Sequence, residues 1–548
     1  MKNTLSWVIT LLILTPALLA SSHKDNTSGT SIDSLDQSQL NWYNLDPHTN
    51  DVPGAAVDKA YRDLLKSKKA SKEVVVAVID GGVDIKHEDL KNNVWINRAE
   101  IPGNNIDDDN NGYIDDIYGW NFLGNANGEN VLFENLEFVR IIRKLTSQFE
   151  GIASIEQVPD QQKDDYRLFE RCKIKLAEEI ESYKTEQQEV EKFVQNIKAL
   201  ENALKEYTGS EKLNAEMIRK IETTDPAIEE AKFFMSLLYD RGYSDTYLDE
   251  MQEYTSDYLD KHLNLDFKAR HIVDDNVNDI DDIKYGNNDV IGPDAFHGSF
   301  VAGIIAAQRN NKIGINGIAN DVKIMTLRAV PKGDEYDKDI ALAIRYAVDN
   351  GAHIINMSFG KEFSPQKQWV DEAMQYAAAN DVLIIKAAGN DSNNIDEVIQ
   401  YPTDILSNGD KLPNVITVGA LASQFDLDMV GNFSNFGRKN VDLFAPGVDL
   451  ISLYPEDKYD SGSGTSFASP VVAGVAALVW SYFPELSSNE VKEVILKSAN
   501  NNYRGMKVYN PESGFERKKV KFKKLSDTGG FVNAYNAIQL ATKFSEKN

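Results

Sequence analysis

The sequence predicts a doubly wound α/β domain on a mainly parallel sheet, interrupted by an inserted α-helical subdomain. The first observation is a series of short apolar runs typical of strands buried on both faces, at residues 73–80, 322–327, 353–357, 382–387 and 415–418. The second is a series of helical patterns between these runs, at residues 298–308, 339–349, 366–380 and 466–482. Because strands that alternate with helices usually pair in parallel, both observations favour this fold.

The third observation is a Glu- and Lys-rich stretch at residues 126–284, which breaks the alternation. Apolar residues recur there at a seven-residue step from Phe169 to Leu204, and this spacing predicts one long helix with a coiled-coil-like seam. Residues 131–149 and 226–239 are candidate partner helices. A disordered acidic linker is the alternative, but so regular a seam is not typical of a linker.

The composition limits the classes of function. The chain has 548 residues, of which 42% are hydrophobic and 26% charged, as in soluble globular proteins. We assign residues 22–54 to an N-terminal extension, and residues 55–125 and 285–545 to the α/β domain. The formal net charge of -27 argues against nucleic acid or anionic membrane as a partner, because both carry the same sign of charge. Cys172 is the only cysteine, so no internal disulfide can form.

Residues 1–21 have the pattern of a signal peptide. Lys2 precedes an apolar stretch at residues 5–19, and Ala20 and Ser21 are small residues near the expected cleavage point. An uncleaved membrane anchor is the alternative, but the apolar stretch is short for a spanning helix. We therefore expect export to the periplasm or the extracellular space, with no membrane anchor in the mature chain.

Polar residues end or begin several of the predicted strands and helices. Asp80 ends a strand in Val-Ile-Asp-Gly-Gly, His297 opens a helix in His-Gly-Ser-Phe-Val-Ala-Gly, and Ser466 begins another helix in Gly-Thr-Ser-Phe-Ala-Ser-Pro. Asn390 follows a further strand in Ala-Ala-Gly-Asn. Ligands of open α/β sheets bind outside the carboxyl ends of the strands, so we expect these four side chains to meet there.

These four residue types suit nucleophilic catalysis. A serine hydroxyl needs an imidazole to accept its proton, and a buried carboxylate holds that imidazole in the required tautomer. A helix N-terminus and a side-chain amide can stabilise a developing oxyanion. Each residue also has a structural interpretation, with Asp80 as a strand-end cap, His297 as a polar helix start, Ser466 as an N-cap and Asn390 as a turn residue. The joint occurrence of the four motifs in this order favours catalysis.

The motifs resemble those of the subtilisin-like serine proteases, the subtilases. Their order, Asp then His then Ser, is the subtilisin order, and the resemblance covers most of the chain outside the insertion. It implies a sheet of subtilisin type. It also implies a serine endopeptidase whose catalytic triad is Asp80, His297 and Ser466, with Asn390 in the oxyanion hole.

The resemblance implies a substrate site as well. The substrate-binding residues that it assigns are Ser358, Phe359, Gly360, Ala388 and Gly389. An extended protein or peptide substrate would add as a strand beside the first three. None of the five is Asp or Glu, so a basic side chain at P1, the residue before the cleaved bond, would lack a counter-ion. We therefore expect a broad or apolar P1 preference.

Two other classes of function compete with an active peptidase. A catalytically weak binding or scaffold protein with the subtilase fold would act through the helical insertion, but the intact catalytic residues argue against it. A lipase or esterase is disfavoured because Ser466 lacks the Gly-x-Ser-x-Gly turn.

Gly81, Ser299 and Phe300 depart from the usual family residues, and none of these departures removes a triad member. We also expect the insertion to border the substrate cleft, because it lies between two catalytic residues in the sequence.

An acidic loop at residues 107–116 predicts a calcium site, because it places Asp, Asp, Asn and Gly at the first, third, fifth and sixth positions of an EF-hand-like loop. The expected ligands are Asp107, Asp109, Asn111, the Tyr113 carbonyl and Asp116. The twelfth position is Tyr118 rather than Glu, so the loop is shortened, with Asp116 or Asp115 closing it. A solvated acidic turn is the alternative, but carboxylates this close repel one another without a cation. Asp89 matches a calcium ligand of many subtilases by resemblance.

Overall fold

The computed structural model describes residues 37–239, 243 and 245–546. The predicted signal peptide, residues 1–21, lies outside the described residues. So does the first part of the predicted N-terminal extension, residues 22–36.

The chain divides into two compact units. Among the described residues, the helical unit is Phe138–Phe267, and the sheet unit combines residues 37–137 with residues 268–546. The helical unit is therefore shorter at both ends than the stretch of residues 126–284 assigned from composition.

Seven strands form one sheet within the described part of the sheet unit. They are β1 Val74–Asp80, β2 Gly119–Asn121, β3 Val322–Arg328, β4 Ile354–Met357, β5 Leu383–Ala387, β6 Val415–Leu421 and β7 Leu443–Pro446. Their order is β2-β3-β1-β4-β5-β6-β7, and every neighbouring pair is parallel. This topology confirms the predicted fold class. The strand β1 lies between β3 and β4, so its carboxyl end is central in the sheet.

Short antiparallel pairs complete the described strands. They are β8 Leu450–Tyr454 with β9 Lys458–Gly462, and β10 Lys507–Tyr509 with β11 Lys519–Lys521. The sequence prediction did not include β2, β7 or these four strands. Each has only three to five residues, too few to show a periodic pattern.

The α-helices account for most of the remaining regular structure. In chain order they are α1 Gln37–Leu40, α2 Pro47–Asn50, α3 Val57–Ala60, α4 Glu137–Phe149, α5 Lys163–Thr208, α6 Ala215–Arg219, α7 Pro226–Tyr239, α8 Asp245–Asp257, α9 Phe296–Ala306, α10 Asp337–Asp349, α11 Lys367–Ala379, α12 Thr465–Tyr482, α13 Ser488–Lys497 and α14 Ala534–Ser545. The helices α9 to α12 agree with the four predicted ones to within two residues at each end.

The helix α12 forms the centre of the sheet unit's core. It packs against α9 and against the strands β4 to β7. By length and composition this helix could cross a membrane, yet 89% of it is buried inside the fold. Its apolar sequence therefore reflects burial against the sheet. Because α12 begins at Thr465, the same packing fixes the position of Ser466 at the carboxyl edge of the strands.

The helical unit is built around α5, a single helix of 46 residues. Its seam is buried at Val190, Ile197 and Leu204, where α7 and α8 pack against it. The predicted partner helix at residues 226–239 is confirmed with the same bounds. The other predicted partner, residues 131–149, is helical only from Glu137 onwards. The sequence prediction missed α8, whose acidic composition hides a short apolar face.

Candidate active site

Asp80 is held at the end of β1 by backbone contacts. Its carbonyl oxygen accepts hydrogen bonds from the N–H groups of Ala329 and Val330, directly after β3. The N–H of Gly81 donates to the Asp80 carboxylate at 2.8 Å. The family usually has Ser or Thr at the position of Gly81. In this chain the backbone N–H of Gly81 supports the Asp80 carboxylate.

His297 is the second residue of α9 and faces the Asp80 carboxylate. Its Nδ1 lies 2.8 Å and 2.9 Å from the two carboxylate oxygens. The imidazole side chain keeps 39% of its surface exposed, whereas that of Asp80 is almost fully buried. Partial removal from water acts to lower the pKa of His297, but the charge of Asp80, its hydrogen bond and the charge of Asp294 raise the pKa overall. The pair therefore stabilises an imidazolium.

Close packing sets the distance between the helix α9 and the turn after β1. A Cβ atom on Gly298 would lie 2.1 Å from the Gly82 carbonyl oxygen and 3.1 Å from the Asp80 Cβ. Only glycine allows this approach. Ser299, a departure from the family pattern, is buried, and its hydroxyl accepts a hydrogen bond from the N–H of Asp84 at 2.7 Å. These contacts join the elements that carry Asp80 and His297.

Ser466 lies in the first turn of α12, where the helix dipole favours negative charge. The Ser358 hydroxyl donates to the Ser466 carbonyl oxygen at 2.7 Å, and the Asn356 amide donates to the Ser358 hydroxyl at 2.8 Å. The Phe467 ring lies 5.4 Å from the His297 ring, measured between centroids. Among the described residues no hydrogen bond joins His297 to the Ser466 hydroxyl, and such contacts often tighten only when substrate binds.

Asn390 is oriented by the residue that precedes Ser466. Its Oδ1 accepts hydrogen bonds from the Thr465 N–H at 2.9 Å and from the Thr465 hydroxyl at 2.8 Å. Its Nδ2 group lies 3.5 Å from the position that a Cβ on Gly464 would occupy. The amide N–H groups of Asn390 are therefore directed beside the N-terminus of α12, where an oxyanion would develop.

The predicted substrate-binding residues differ in what their groups contact. The side chain of Ser358 is buried and bonded to α12, so it positions the nucleophile helix. Phe359 and Gly360 are half-buried, and a Cβ on Gly360 would lie 2.9 Å from the Tyr401 carbonyl oxygen. Ala388 is buried, and the N–H of Gly389 donates to the Thr465 hydroxyl at 3.0 Å. Sequence reasoning did not find the positioning roles of Ser358 and Thr465.

A buried ionic cluster directly follows the segment of residues 358–360. Lys361 is 4% exposed, and its ammonium donates to Glu137 at 2.8 Å and to the Glu335 carbonyl at 2.7 Å. It also lies 2.9 Å from the Asp337 carboxylate. Burial raises the pKa of Glu335, although the charge of Lys361 opposes the shift. In the sequence, Lys361 follows Gly360, a pattern that is typical of a solvated turn. The sequence therefore does not predict that Lys361 is buried in an ionic cluster.

The acidic loop folds into two sets of carboxylates. Asp107 accepts hydrogen bonds from the N–H groups of Asn111 and Gly112, as a turn-stabilising residue does. Asp109 and Asp116 instead converge with Glu100, and one oxygen from each lies within 4.8 Å of the others. Glu100 lies outside the predicted loop and was missed.

Amide groups lie between the converging carboxylates. The Asn97 amide donates to Asp109 and to Asp116, both at 2.9 Å, and the Asn111 amide donates to the same two residues. The ring of Tyr113 is buried against Tyr346. Burial raises the pKa values of Glu100 and Asp116. The two amides present their N–H groups to the carboxylates, and Asn111 Oδ1 accepts the Tyr113 N–H at 2.8 Å. Carboxylate oxygens are ligands that Ca²⁺ prefers, so the set of Glu100, Asp109 and Asp116 fits a calcium ion.

Asp89 is fully buried in a different part of the sheet unit. Its carboxylate accepts hydrogen bonds from the Asn311 amide at 2.6 Å, the Ile315 N–H at 3.2 Å and the Tyr459 hydroxyl at 3.2 Å. Burial raises the pKa of Asp89 to about 6. The structure thus brings the loop around Asn311 to Asp89, a pairing that the sequence alone does not show.

The geometry can be compared with known proteins. The sequence profile of the subtilase family matches residues 71–518. The chain belongs to the subtilase family. The matched range contains all four candidate catalytic residues of this subtilase.

Curated relatives of this subtilase include three bacterial proteases. Thermophilic serine proteinase of Bacillus sp. (strain AK1) is 36% identical over 249 residues, which cover 44% of this chain and 52% of the relative. Cell wall-associated protease of Bacillus subtilis (strain 168) is 35% identical over 39% of this chain and 22% of the relative. Subtilisin DY of Bacillus licheniformis is 36% identical over 37% of this chain and 70% of the relative. This subtilase therefore spans about half the length of the first relative and about a fifth of the second.

A solved structure is also among the matches. The crystal structure of a cold adapted subtilisin-like serine proteinase is 28% identical, with a TM-score of 0.35. The match covers 45% of this subtilase and 76% of that chain. The share of this subtilase that matches is below half.

Proposed function

We propose that this subtilase is an exported serine endopeptidase that cleaves peptide bonds through an acyl-enzyme. The observation that carries the proposal is the buried Asp80 carboxylate, 2.8 Å from His297 Nδ1, at the same sheet edge as Ser466. An Asp that only caps the end of a strand needs no imidazole partner. The strand-cap interpretation of Asp80 therefore does not account for its pairing with His297. Family membership supports the same chemistry.

The first half of the reaction follows from the positions of these groups. Asp80 keeps the proton on His297 Nδ1, which leaves Nε2 free to accept the proton of the Ser466 hydroxyl. The Ser466 oxygen then attacks the peptide carbonyl, and the amide of Asn390 donates to the oxyanion that forms. The N-terminus of α12 adds its positive dipole end.

The second half restores the enzyme. His297 gives its proton to the leaving amine, the C–N bond breaks, and the acyl group stays on Ser466 as an ester. Water enters, His297 accepts its proton, and the resulting hydroxide attacks the ester carbonyl. The Ser466 oxygen leaves with the proton held by His297. The raised pKa of His297 supports this role, because the imidazolium must persist between the proton transfers.

Substrate binding is proposed along the segment of residues 358–360. Lys361, the residue after this segment, pairs with Tyr401 through two backbone hydrogen bonds of 2.9 Å. An extended peptide would use the other exposed backbone groups of this segment, with its P1 side chain near Ala388 and Gly389. These walls are apolar or small, which supports a broad or apolar P1 preference.

Calcium binding and export are part of the proposal. Glu100, Asp109 and Asp116 would hold a Ca²⁺ ion, whose charge would offset the mutual repulsion of the three carboxylates. The ion would stabilise the loop before β2 and would take no part in peptide cleavage. Export by the predicted signal peptide, to the periplasm or the extracellular space, is supported by the pattern of residues 1–21 alone.

A fluorophosphonate probe tests the catalytic proposal against the scaffold alternative. Only a serine activated by a neighbouring imidazole reacts with this probe. We expect labelling of the wild-type protein at Ser466, and no labelling of Ser466→Ala. Ser463→Ala is the matched control, because it removes a nearby hydroxyl that bonds Asp449, and it should be labelled normally. A folded wild-type protein that resists the probe would favour a scaffold.

A further inference from the structure

A cavity lies beside the carboxyl half of β5, next to the proposed substrate segment. Its empty volume is about 610 Å³, including the solvent at its mouth. Polar groups line it on several sides, from Lys367, Lys386, Gln400, Thr403, Asp404 and Asn440. Ile399 and Ile405, both exposed, also line it. The cavity is therefore open to water and is lined by hydrogen-bond donors together with the Asp404 carboxylate.

Lys386 is the unusual member of this lining. Its side chain extends from β5, and the residue is only 3% exposed. Within the described residues, its ammonium makes no hydrogen bond or ion pair. Burial lowers the pKa of Lys386 to about 8, against the attraction of Asp404 and Asp442. Buried ammonium groups are normally paired, so an unpaired one that lines an open cavity indicates a site for an anion.

The other two charged residues of the lining, Lys367 and Asp404, are already paired. Lys367 binds both oxygens of Asp371 at 2.6 Å and the Ile405 carbonyl at 2.9 Å. Asp404 lies 3.0 Å from the Lys411 ammonium. Asp442, the residue before β7, is not part of the lining; it attracts Lys386 by its charge and accepts a hydrogen bond from the Thr417 N–H at 2.7 Å. Among the described charged residues that line the cavity, Lys386 is therefore the one without a direct ion-pair partner.

Two neutral donors complete the lining. The Gln400 side-chain amide makes no hydrogen bond among the described residues. The Thr403 hydroxyl oxygen accepts the Ile405 N–H at 3.3 Å, which leaves its own O–H free to donate. An ammonium, an amide and a hydroxyl are together a donor set that matches the acceptor oxygens of a carboxylate.

The cavity borders the substrate site through residues on both of its walls. Lys386 precedes Ala388 by two positions, so the two side chains lie on the same side of the chain as it leaves β5. On the opposite wall, a Cβ on Gly360 would lie 3.0 Å from the Gln400 amide nitrogen. Gln400 therefore separates the cavity from Gly360, the end of the substrate segment.

We propose that this cavity is a carboxylate subsite, in which Lys386 with Gln400 receives the acidic side chain of a substrate residue bound at P1. The inference deepens the proposed peptidase function and rests on it. The small or apolar walls at residues 358–360 and Ala388 still accept other side chains. The ammonium of Lys386 adds a preference for Glu at P1 over Gln, its neutral counterpart.

Matched peptides that differ only at P1 test the subsite. Glu, Gln and Leu peptides are compared by kcat/KM at pH 7, where Lys386 carries its charge. We expect the wild type to cleave the Glu peptide faster than the Gln peptide by on the order of tenfold, because a charged hydrogen bond replaces a neutral one. Lys386→Met keeps the side-chain volume and should bring this ratio to about one. Lys439→Met removes an exposed charge next to Asn440 and should keep the ratio.

The outcomes separate the subsite from the peptidase function. Failure of the fluorophosphonate to label Ser466 overturns both. The subsite alone is overturned if Ser466 is labelled but the wild type cleaves the Glu and Gln peptides with nearly equal kcat/KM. It is also overturned if Lys386→Met keeps the wild-type ratio of these two values. If Lys386→Met is not labelled, Gln400→Leu replaces it as the test variant and should lower the ratio severalfold.

Acetate distinguishes a substrate side chain from a free carboxylate. As a competitor for the subsite, acetate should slow cleavage of the Glu peptide more than that of the Leu peptide. If acetate raises the melting temperature of the wild type but not of Lys386→Met, while the Glu to Gln ratio is one, the cavity binds free carboxylates only. That result overturns the assignment to substrate.

Discussion

The two units differ in the sequence distance between the residues that contact each other. In the helical unit, the core that joins α5, α7 and α8 comes from residues 190–251. In the sheet unit, the candidate site draws on residues 80, 297, 390 and 466, and the core extends from Trp42 to Ala541. Local contacts form at a low entropic cost, whereas the site requires distant segments to meet. We therefore expect the proposed chemistry to depend on the sheet unit, which contains all four candidate catalytic residues.

Ser466→Ala should have the largest effect and would test where the chemistry lies. We expect peptide hydrolysis to fall by on the order of 10⁶-fold, the size reported for subtilisin, a member of the same family, with no change in melting temperature. Triad members act as a unit, so adding His297→Ala should cost little more. Steady-state kinetics of the single and double variants measure this. A double variant far slower than Ser466→Ala would contradict the proposed coupling.

Asp80→Asn should show a smaller loss of rate together with a pH shift. His297 must be neutral to accept the serine proton, so activity is lost as the pH falls through its raised pKa. Without the Asp80 charge that pKa falls, and the acid limb of kcat/KM should move to lower pH. The plateau rate should drop by about 10⁴-fold, as for the equivalent change in a serine protease triad. An unmoved acid limb would mean that another group controls it.

Asn390→Leu should cost less again, because it removes one donor and leaves the triad intact. We expect kcat to fall by about 10²–10³-fold with little change in KM, the size found for the side-chain donor of subtilisin. The substitution also removes the acceptor for Thr465, so the melting temperature serves as a control for local damage. A change confined to KM would assign Asn390 to substrate binding.

Calcium removal should affect stability rather than chemistry. An ion that binds only the folded state contributes about 2.7 kcal/mol when it is 100-fold above its Kd, so chelation should lower the melting temperature. Asp109→Ala should erase most of that difference. Asp108→Ala is the matched control, because its carboxylate bonds Ile101 and Asn104 outside the cluster. Equal chelator sensitivity in Asp109→Ala would place the important ion elsewhere, with Asp89 as the next candidate.

Deletion of the helical unit should have the smallest effect on the chemistry. Replacing residues 138–267 with a short Gly/Ser linker should change hydrolysis of small peptide esters by less than about twofold, because every proposed catalytic residue lies in the sheet unit. Cleavage of folded proteins by the same variant tests whether the helical unit affects which substrates are cut, as its place in the sequence led us to expect. A deleted variant that stays folded but loses labelling at Ser466 would make the helical unit part of the catalytic assembly.

Patterns within a short window were predictable from the sequence. The apolar runs of β1 and β3 to β6, and the periodicity of α5, are properties of consecutive residues, and the structure contains these elements near the expected bounds. The site motifs were also local, because each catalytic side chain adjoins the end of a strand or the start of a helix. By contrast, Glu100 and Lys361 gave no such signal, since their partners lie in other segments of the chain.

The α/β class, the long helix of the insertion and the four candidate catalytic residues could all be inferred from the sequence. The folded structure was needed to show that the Ser358 hydroxyl bonds to α12, that Glu100 joins Asp109 and Asp116, and that Lys386 lines a cavity with no partner among the described residues. Strand and helix patterns indicate only which face of a segment is buried. Hydrogen bonds, ion pairs and buried charges depend on which distant segments meet, and that is settled only when the sheet and its helices pack together.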